Sequence, residues 1–525
     1  MAAYDIVIAG YGPTGAVAGN LLGAAGLSAL VVEPSPAIFD IPRAVHFDGE
    51  TMRIFQHLGL QKQVLEIVRE GKSLGFTNAR NWQLFHQDLT RVPRYNGWAN
   101  NLFFNQPQLE KHLRSGVERF ANVEVRLGWS LAGLEQQQTH VSATITDAAG
   151  ATEKIECQYL LGCDGASSLV RKLLAIAQED LHCDEPWLVV DWIIPAGIQI
   201  DRSAYQICDP KRPATLVPCE GRHIRWEFMV NPGDNESELE SEESVRALMA
   251  PHLHRLSPEL KPEDGELIRA KVYAFHALVA ETFQQGRVFL LGDAAHQTPP
   301  FMGQGMCAGI RDAYNIHWKL CGVLKGELAP AVLDSYTTER RPHVHETIKT
   351  AVTMGGIIQN RSRALSFFRD CFLMLGKALP AMASSIKFNA AWHLGAGLFA
   401  TDGAPVAGGP LGQLLPQGLV QLGGQEPMLS DELLAPGFNV IGFGVNPADF
   451  FNQAEYTLKT NAIQIGTSAG AQDIDGALLG WAKKHAVELA VVRPDRQVYG
   501  AIGQGSDKRK ELAAMLMHLQ QRLGG

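Results

Sequence analysis

The residues best suited to chemistry lie between positions 287 and 315. An apolar run over residues 288–291 leads to Asp293, which predicts a buried strand that carries one carboxylate at its C-terminal end. Pro300 follows, and residues 303–306 then open a long helical pattern. The first N–H groups of such a helix have no partner within it. A carboxylate beside these donors suits a ligand that carries hydroxyl groups and electron-rich oxygens.

A second group of candidate residues lies at the N-terminus. Residues 4–9 (YDIVIA) predict a buried strand, residues 10–15 (GYGPTG) have the form G-x-G-x-x-G, and a small-residue helix follows. A second apolar strand, over residues 27–32, leads to Glu33. Such glycines allow the backbone to approach a pyrophosphate, and an acid at this distance holds ribose hydroxyls. We predict a nucleotide-binding βαβ unit; the alternative is a glycine-rich turn of an unrelated α/β domain.

Composition excludes several classes of protein. The chain has 525 residues, 46% of them hydrophobic and 19% charged, which is typical of a globular protein with large cores. A net charge of −9 without a basic run argues against nucleic-acid or anionic-membrane partners. We find no signal peptide and no run of roughly 20 apolar residues. The eight cysteines include no C-x-x-C pair, which favours free thiols of a cytoplasmic protein over disulfides or a metal site.

The order of the patterns predicts three domains. We assign residues 1–72, 106–182 and 281–395 to a nucleotide-binding domain, in which residues 123–126, 141–146 and 152–158 form a meander and residues 159–162 a further strand. Residues 73–105 and 183–280 form a β-rich domain with one helix at 242–253. A Gly/Pro-rich linker begins at residue 401, and a last α/β domain, over 401–525, has strands at 437–444 and 490–494 and helices at 474–484 and 507–523.

Three motifs together resemble one protein family: GYGPTG with Glu33, CDGASSLVRK at residues 163–172, and GDAAHQTPPFMGQG at residues 292–305. The combination resembles the class A FAD-dependent aromatic hydroxylases, which are single-component flavoprotein monooxygenases. RAVHFDGETMRIF (43–55) and WEFM (226–229) look closest to the 3-(3-hydroxyphenyl)propionate hydroxylase-like members. The resemblance implies an α/β fold: a Rossmann-like FAD-binding domain, interrupted by a β-rich substrate domain and followed by a thioredoxin-like C-terminal domain.

The resemblance also implies which residues contact FAD. They are Gly10, Gly12, Pro13, Thr14, Gly15, Glu33, Arg43, Gln106, Asp164, Asp293, Pro300, Gly303, Gln304, Gly305 and Met306. Within this set, Asp293 and Gln106 serve the ribityl chain, and Asp164 also serves the nicotinamide cofactor. The alternatives are a surface ion pair for Arg43 and a plain turn-forming role for Asp164 or Asp293.

A single dinucleotide fingerprint fits this family, in which NADH or NADPH has no domain of its own. The implied reaction hydroxylates a phenolic ring with O₂ through a flavin C4a-hydroperoxide, as in aromatic catabolism. The protein must then keep water out and place N–H donors beside the flavin. No catalytic triad and no metal ligands are needed, and the sequence suggests none.

Substrate contacts are harder to predict. Candidate catalytic residues are His46, Tyr205, Arg225 and Pro300, and further candidates for the pocket wall are Trp226, Phe301 and Met302. A structural histidine and a surface or ion-pair arginine are the alternatives for His46 and Arg225. The family's tyrosine pair and carboxylate-binding arginines find no match here. The run at residues 48–50 and the segment at 191–195 are also unusual for the closest subfamily.

Other functions remain open from the sequence. A polyketide-type aromatic hydroxylase of the same class is the main alternative; a halogenase is disfavoured because Trp187 and Trp192 have the wrong spacing for its motif. A non-catalytic flavoprotein is the third. Residues 401–525 contain no cysteine, which excludes thiol–disulfide exchange there and favours a structural or dimer-supporting role. We expect a small phenol and O₂ as partners, no nucleic acid and no membrane, with a homodimer left open.

Overall fold

The computed structural model describes residues 3–378, 393–401, 409–467 and 469–524. The end of the predicted nucleotide-binding domain (379–392) and the start of the predicted linker (402–408) therefore lie outside the described residues. An eight-stranded sheet comes first along the chain. Six of its strands follow one another in the order Gln284–Gln285, Val288–Leu290, Thr152–Gly162, Tyr4–Ala9, Ala29–Glu33 and Val123–Leu127. Two further strands extend the sheet on one side: Val141–Asp147 pairs with Thr152–Gly162, and Trp129–Gln136 pairs with Val141–Asp147.

The centre of this first sheet is parallel, with Ile6 opposite both Tyr159 and Ala29. Because helices cover both of its faces, the central strands are nearly continuous apolar runs. The predicted meander is wrong in two respects. Strand Val123–Leu127 pairs in parallel with Ala29–Glu33, and Thr152–Gly162 is one continuous strand rather than two. Strand Trp129–Gln136, which the sequence analysis missed, completes the antiparallel extension.

A second, seven-stranded sheet is built from the β-rich segments. Its order is Glu266–Phe275, Glu185–Ile193, His223–Met229, Ala214–Pro218, Ala204–Cys208, Ser73–Asn78 and Gln83–Asp88. Side chains alternate between its two faces. The outer face packs with helix Glu242–Met249 into a separate apolar core that includes Trp226 and Leu188. The inner face carries Trp187 and Met229, which join the core of the first sheet.

Two small sheets lie between these layers. One contains His46–Phe47, Leu102–Phe104 and Val68–Glu70, and the other contains Gln178–Asp180, Leu278–Ala280 and His296–Gln297. Residues 102–104, which the sequence analysis placed in the β-rich domain, do form a strand, but this strand pairs with the segment after Arg43 rather than with the second sheet.

Helices cover and connect the sheets. The α-helices are Pro13–Ala24, Gly49–His57, Gln61–Leu65, Gln106–Val117, Leu169–Leu173, Glu236–Leu239, Glu242–Met249, Gly305–Leu324, Ser335–Ile358, Arg363–Ala378, Ala477–His485 and Lys508–Leu523. Short 3₁₀ turns include Gly292–Ala294, Pro300–Met302 and Ala250–Arg255. Asn105, a residue type that favours helix N-caps, caps helix Gln106–Val117, since its side chain accepts from Gln108 N at 3.3 Å. In the described parts of the chain, no helix has the length and apolar character needed to cross a bilayer.

The C-terminal residues form a third layered unit. Its sheet runs in the order Met428–Leu429, Leu419–Leu422, Ala471–Asp473, Thr460–Gly466, Phe438–Phe443, Val487–Val492 and Val498–Gly503. Buried ion pairs attach it to the rest of the molecule: Arg493 lies 2.8 Å from Glu339, and Arg53 lies 2.5 Å from Asp431. Buried pairs of this kind are costly to break, so the unit is firmly docked.

Candidate cofactor and substrate site

The G-x-G-x-x-G loop connects the first strand to helix Pro13–Ala24. A Cβ at Gly10 would collide with the carbonyl oxygen of Cys163, and one at Gly15 would collide with the carbonyl oxygen of Gly10. These two glycines therefore allow close packing within the protein. A Cβ at Gly12 would meet nothing within 4 Å, and Gly12 begins the helix without a side-chain cap. The helix N-terminus thus faces open space with its N–H groups unpaired, which suits a phosphate.

Glu33 and Thr14 flank this loop. The Glu33 carboxylate accepts from Tyr11 N at 2.8 Å and from Ser35 N at 3.0 Å, which leaves each oxygen a further lone pair for a ribose hydroxyl. Thr14 packs tightly against two glycines, since a Cβ at Gly292 or Gly309 would collide with its hydroxyl. Through this contact the N-terminal loop meets the turn that carries Asp293.

The turn at Asp293 is held by buried charges. Asp312 accepts from Gly292 N at 3.0 Å, from His296 Nε2 at 2.8 Å and from Arg340 Nε at 2.8 Å. Asp293 itself is exposed to solvent, although the surrounding protein desolvates it and raises the pKa of its carboxyl, with His296 partly offsetting the effect. A group that is both closely surrounded and accessible lies in a deep cleft, where a carboxylate can accept from ligand hydroxyls.

The loop after Pro300 completes this end of the cleft. Gly303 has φ +62°, and a Cβ there would lie 2.6 Å from His46 Nδ1. Helix Gly305–Leu324 then begins at Gln304 without a side-chain cap, so the N–H groups of its first turn are available to a ligand. Gln304 does not serve as a cap because its Oε1 accepts from Arg311 Nη1 at 3.0 Å.

His46 stands at the wall of the cleft. Its Nε2 lies 3.0 Å from Asn101 Oδ1, and its ring is half-buried. Burial lowers the pKa of His46, with Asp48 partly offsetting the effect, which favours a neutral imidazole at pH 7. His46 thus adjoins the predicted flavin loop, and its Nδ1 faces that loop.

A charge cluster that the sequence analysis did not identify holds the loop helix in place. Arg311 Nε donates to Glu50 at 2.7 Å, and Arg311 Nη2 donates to Asp48. Burial alone would raise the pKa of Asp48, but Arg311 holds it below its ordinary value. The unusual run at residues 48–50 therefore supplies both carboxylates for a buried arginine on the long helix.

Three predicted cofactor residues have side chains that contact other polar groups of the protein. Gln106 Oε1 accepts from Arg43 N at 3.0 Å and from Ala44 N, and its Nε2 donates to Glu110 at 2.6 Å. The Arg43 side chain is 61% exposed and lies 3.5 Å from Glu110, so it is free to reorient toward a ligand. Asp164 accepts from Ser168 Oγ at 2.6 Å and Val170 N at 3.0 Å, which favours the turn-forming interpretation of its carboxylate.

Arg225 does not extend into the cleft. Its guanidinium donates to Asp191 at 2.9 Å and to the carbonyls of Pro42 and Arg43 at 2.5 and 2.6 Å, and only 2% of the residue is exposed. Arg269 joins Asp191 at 2.5 Å. The prediction that Arg225 binds a substrate carboxylate is therefore replaced by an internal role: it clamps the inner face of the second sheet to the loop before His46.

Asp191 is also paired with His223. Their side chains lie 2.7 Å apart and are both buried. Burial opposes the charged forms, but the His223 hydrogen bond and Arg225 lower the pKa of Asp191 to about 2. The Cys219 sulfur and Asp191 likewise raise the pKa of His223 to about 9 despite burial. The cluster is therefore charged at neutral pH.

Tyr205 and Trp226 lie on the opposite side of the sheet from the cleft. Tyr205 is paired with Leu216, which is paired with Trp226, so all three point to the outer face. Trp226 is fully buried there against Phe228, and the Tyr205 hydroxyl donates to Asp201 at 2.9 Å. Neither residue lines the cleft, because the alternation of side chains along the strands directs both of them toward helix Glu242–Met249.

The apolar wall of the cleft comes from elsewhere. Phe301, in the turn Pro300–Met302, lies 5.8 Å from Trp187 and 6.4 Å from Phe275, measured between ring centroids. Met302 packs against the same core. Of the predicted wall residues, Phe301 therefore joins the inner face of the second sheet, and Met302 packs against the shared core.

The cleft fits FAD by the chemistry of its groups. Unpaired helix N–H donors at Gly12 and Gly305 suit phosphates and electron-rich ring atoms, and the carboxylates of Glu33 and Asp293 suit hydroxyls. Gly12 leaves room for a ligand to approach the backbone. Within the ranges that the structure describes, no group of three or more His, Cys, Asp and Glu side chains is arranged to hold a metal.

Comparisons with known proteins agree with this geometry. Residues 3–351 match the family described as FAD binding domain, and residues 412–518 match the family described as HcaD C-terminal domain. The second match covers most of the unit predicted to be thioredoxin-like.

Two curated relatives are similar over nearly the whole chain. The 3-(3-hydroxyphenyl)propionate/3-hydroxycinnamic acid hydroxylase 2 of Burkholderia vietnamiensis (strain G4) is 34% identical over 94% of this chain and 93% of its own length. The hydroxylase of the same substrates from Escherichia coli O157:H7 (strain EC4115) is 32% identical over 98% of this chain and 95% of its own.

Solved structures share the fold. The flavin-dependent monooxygenase PieE, in complex with FAD and substrate, has a TM-score of 0.82 at 21% identity and 99% coverage of both chains. Aklavinone-11 hydroxylase, in complex with FAD and aklavinone, has a TM-score of 0.79 at 22% identity, with 99% of this chain and 100% of the other covered. The overall α/β architecture is therefore the one expected.

Proposed function

We propose an aromatic hydroxylase function for this chain, which belongs to the FAD-binding-domain family and, within it, to the single-component flavoprotein monooxygenases. It uses FAD, O₂ and NADH or NADPH to add one hydroxyl group to a phenolic ring. The observation that carries the proposal is the cleft in which Asp293, the uncapped helix at Gly305 and His46 come together, in a chain that matches named hydroxylases almost end to end.

Each part of the cleft has a role in this reaction. FAD, when bound, supplies the redox chemistry between the nicotinamide, O₂ and the ring. Thr14 and Gly15 offer N–H donors to its phosphates, and Glu33 and Asp293 accept from its hydroxyls. The N–H groups of the first turn at Gly305 stabilise negative charge at the end of the cleft beside His46.

The wall of the cleft protects the reaction. Phe301, Trp187 and Phe275 pack together on the side of the second sheet and exclude water, which would otherwise divert reducing equivalents to H₂O₂. In the overall reaction, one phenol, one O₂, one NAD(P)H and one proton are converted to one hydroxylated phenol, one NAD(P)⁺ and one water. No protein nucleophile is needed, so placement and electrostatics carry the catalysis.

The names of the relatives suggest the class of substrate. A phenol with a short carboxylate side chain, like 3-(3-hydroxyphenyl)propionate, is the first candidate. One observation favours a second candidate, an uncharged polycyclic phenol of the polyketide type: Arg225 and Arg269 on the inner face are both engaged by Asp191 and by backbone carbonyls rather than free for a carboxylate.

The test is oxidation of NADH and NADPH by the FAD-loaded protein with a panel of phenols and mass analysis of the products. The panel contains 3-(3-hydroxyphenyl)propionate, simple hydroxybenzoates and one polycyclic phenol. Substrate-stimulated oxidation with a product one oxygen heavier supports the hydroxylase and identifies the ring. If every phenol led only to H₂O₂ without a hydroxylated product, or if no phenol stimulated NAD(P)H oxidation, the hydroxylase function would be contradicted.

We also propose a homodimer formed through helix Arg363–Ala378. Leu365, Phe368, Phe372 and Leu375 are each more than half exposed and recur at intervals of three, four and three residues, the spacing of a helix-pairing stripe. A self-complementary stripe suits a two-fold interface. The mass of the protein in solution tests this: Phe368→Glu should convert a dimer to a monomer, and a monomeric wild type would contradict the proposal.

The remaining assignments are proposals of the same kind. We propose the three domains predicted from the sequence, with one change: residues 102–104 belong with residues 46–47, with which they pair, rather than with the β-rich domain. For the cysteine-free C-terminal unit we propose a thioredoxin-like fold and a structural or dimer-supporting role. A cytoplasmic location is supported by the eight cysteines, all of which are free thiols.

A further inference from the structure

One carboxylate on the inner face of the second sheet has no hydrogen-bond or ion-pair partner among the residues that the structure describes. Glu227 lies two residues after Arg225 and two before Met229 on strand His223–Met229, so it shares their face. Val189 and Thr215 lie opposite it on the neighbouring strands. Toward the residues that the structure describes, Glu227 makes no hydrogen bond and no ion pair, whereas Arg225 is fully engaged.

Glu227 lies between two contacts that both lead to the loop at Gly303. On one side, Arg225 donates to the carbonyl of Arg43, three residues before His46, whose Nδ1 faces Gly303. On the other side, Trp187 is paired with Met229 and packs on Phe301 in the turn before Gly303. The strand positions therefore place the Glu227 carboxylate over the same cleft.

The burial of Glu227 agrees with this position. The residue is half-buried, yet protein surrounds it closely enough that desolvation raises the pKa of its carboxyl, with Arg225 and Arg269 partly offsetting the effect. Asp293 shows the same combination at the other end of the cleft. A desolvated carboxylate without a partner is costly, and a ligand that donates a hydrogen bond removes that cost.

We propose that Glu227 accepts the hydrogen bond of the substrate's phenolic hydroxyl, an inference that rests on the proposed function. The hydroxyl proton moves toward the carboxylate while the ring forms its new C–O bond and the O–O bond of the oxidant derived from O₂ breaks; the second oxygen atom leaves as water. When the ring regains aromaticity, its hydrogen leaves as a proton to solvent and the carboxylate returns its own proton to the phenolic oxygen. Glu227 thereby selects rings that carry a free hydroxyl over analogues that lack it. The oxidant and the reductant remain the O₂ and NAD(P)H of the parent reaction.

The test compares the phenol that the wild type hydroxylates fastest with its deoxy analogue. Each is titrated into FAD-loaded protein, and binding is followed by the change in flavin absorbance. We expect Glu227→Gln to lower the preference for the phenol about tenfold, because a hydrogen bond to a charged group is lost, and to leave the affinity for the deoxy analogue nearly unchanged. Glu227→Asp keeps a carboxylate and should retain part of the preference.

Glu266→Gln is the matched control, since Glu266 is an exposed residue of the same sheet and should change neither affinity. Thermal unfolding and flavin content establish that each variant is folded. An unchanged preference in folded Glu227→Gln, or an equal loss of affinity for both ligands, overturns the role of Glu227. A wild type that hydroxylates no phenol overturns the proposed function instead, so the two failures are distinguishable.

Discussion

The guanidinium of Arg225 donates to the backbone carbonyl of Arg43 at 2.6 Å, across 182 positions of sequence. This hydrogen bond ties the inner face of the second sheet to the loop that leads to His46. Both partners lie beside the cleft, so the geometry of the His46 wall depends on a buried ion cluster that itself touches no ligand.

Replacing Arg225 should therefore weaken both the fold and the site. Arg225→Met removes the donors to Pro42 and Arg43 and leaves Asp191 with Arg269 and His223 only, for an expected loss of about 2–4 kcal/mol in the free energy of unfolding. Chemical denaturation measures that loss, and flavin retention on gel filtration reports the cleft. Arg222→Lys, at an exposed arginine of the same sheet region, should change neither; an unaltered Arg225→Met protein would contradict the clamp.

The glycines of the N-terminal loop should separate folding from cofactor binding. Gly12→Ala adds a methyl group to open space, so stability should change by less than about 0.5 kcal/mol while FAD affinity falls more than about tenfold. Gly15→Ala collides with the carbonyl of Gly10 and should cost about 1–3 kcal/mol of stability. Thermal unfolding of the apoprotein and fluorescence titration with FAD measure the two effects. Equal FAD affinity in Gly12→Ala and wild type would count against the cleft as the phosphate site.

Stability should depend on pH through His223. Its folded pKa of about 9 lies above the ordinary value near 6.5, so its stabilising contribution is complete below pH 6.5 and is lost as the pH rises through 9. At about 1.4 kcal/mol per pKa unit, the contribution of His223 to the free energy of unfolding is at most about 3.5 kcal/mol. The difference in unfolding free energy between wild type and His223→Gln should be largest near pH 6 and small above pH 9.

The control for this pH series is His86→Gln, which alters an exposed histidine on an outer strand. Its difference from wild type should stay small at every pH. A His223→Gln difference that does not fall between pH 7 and 10 would mean that the imidazole is not the charged partner of Asp191.

The docking of the C-terminal unit should depend on Glu339. Its carboxylate accepts from Arg493, Lys319 and Leu398 N, each at 2.8–2.9 Å, and all of these groups are buried. Glu339→Gln leaves two buried cations short of a partner and should cost about 3–5 kcal/mol, with faster proteolysis at residues 393–401 and 409–418. Glu346→Gln, at an exposed position of the same helix, is the control. Unchanged proteolysis would show that the Arg53–Asp431 pair and the apolar contacts are sufficient to hold the unit without Glu339.

Much of the fold was predictable because it depends on local patterns. Strand Tyr4–Ala9, the cap at Asn105 and the final helix each follow from neighbouring residues, and the three motifs were sufficient to identify the cofactor class. The meander was wrong because the residue pattern of a strand does not identify the strand with which it pairs: Val123–Leu127 pairs in parallel with Ala29–Glu33, 94 positions earlier in the chain.

Sequence patterns alone were sufficient to predict the nucleotide-binding unit, the family and the presence of a β-rich domain, in whose strands side chains must alternate between two faces. They did not determine which face of the second sheet meets the cleft, because alternation is the same whether a helix or a cofactor lies above. The packing of distant segments assigned Tyr205 and Trp226 to the helix-covered face and Glu227 to the other. Among the described residues, Arg225 is paired and Glu227 is not, because their surroundings come from residues far apart in sequence.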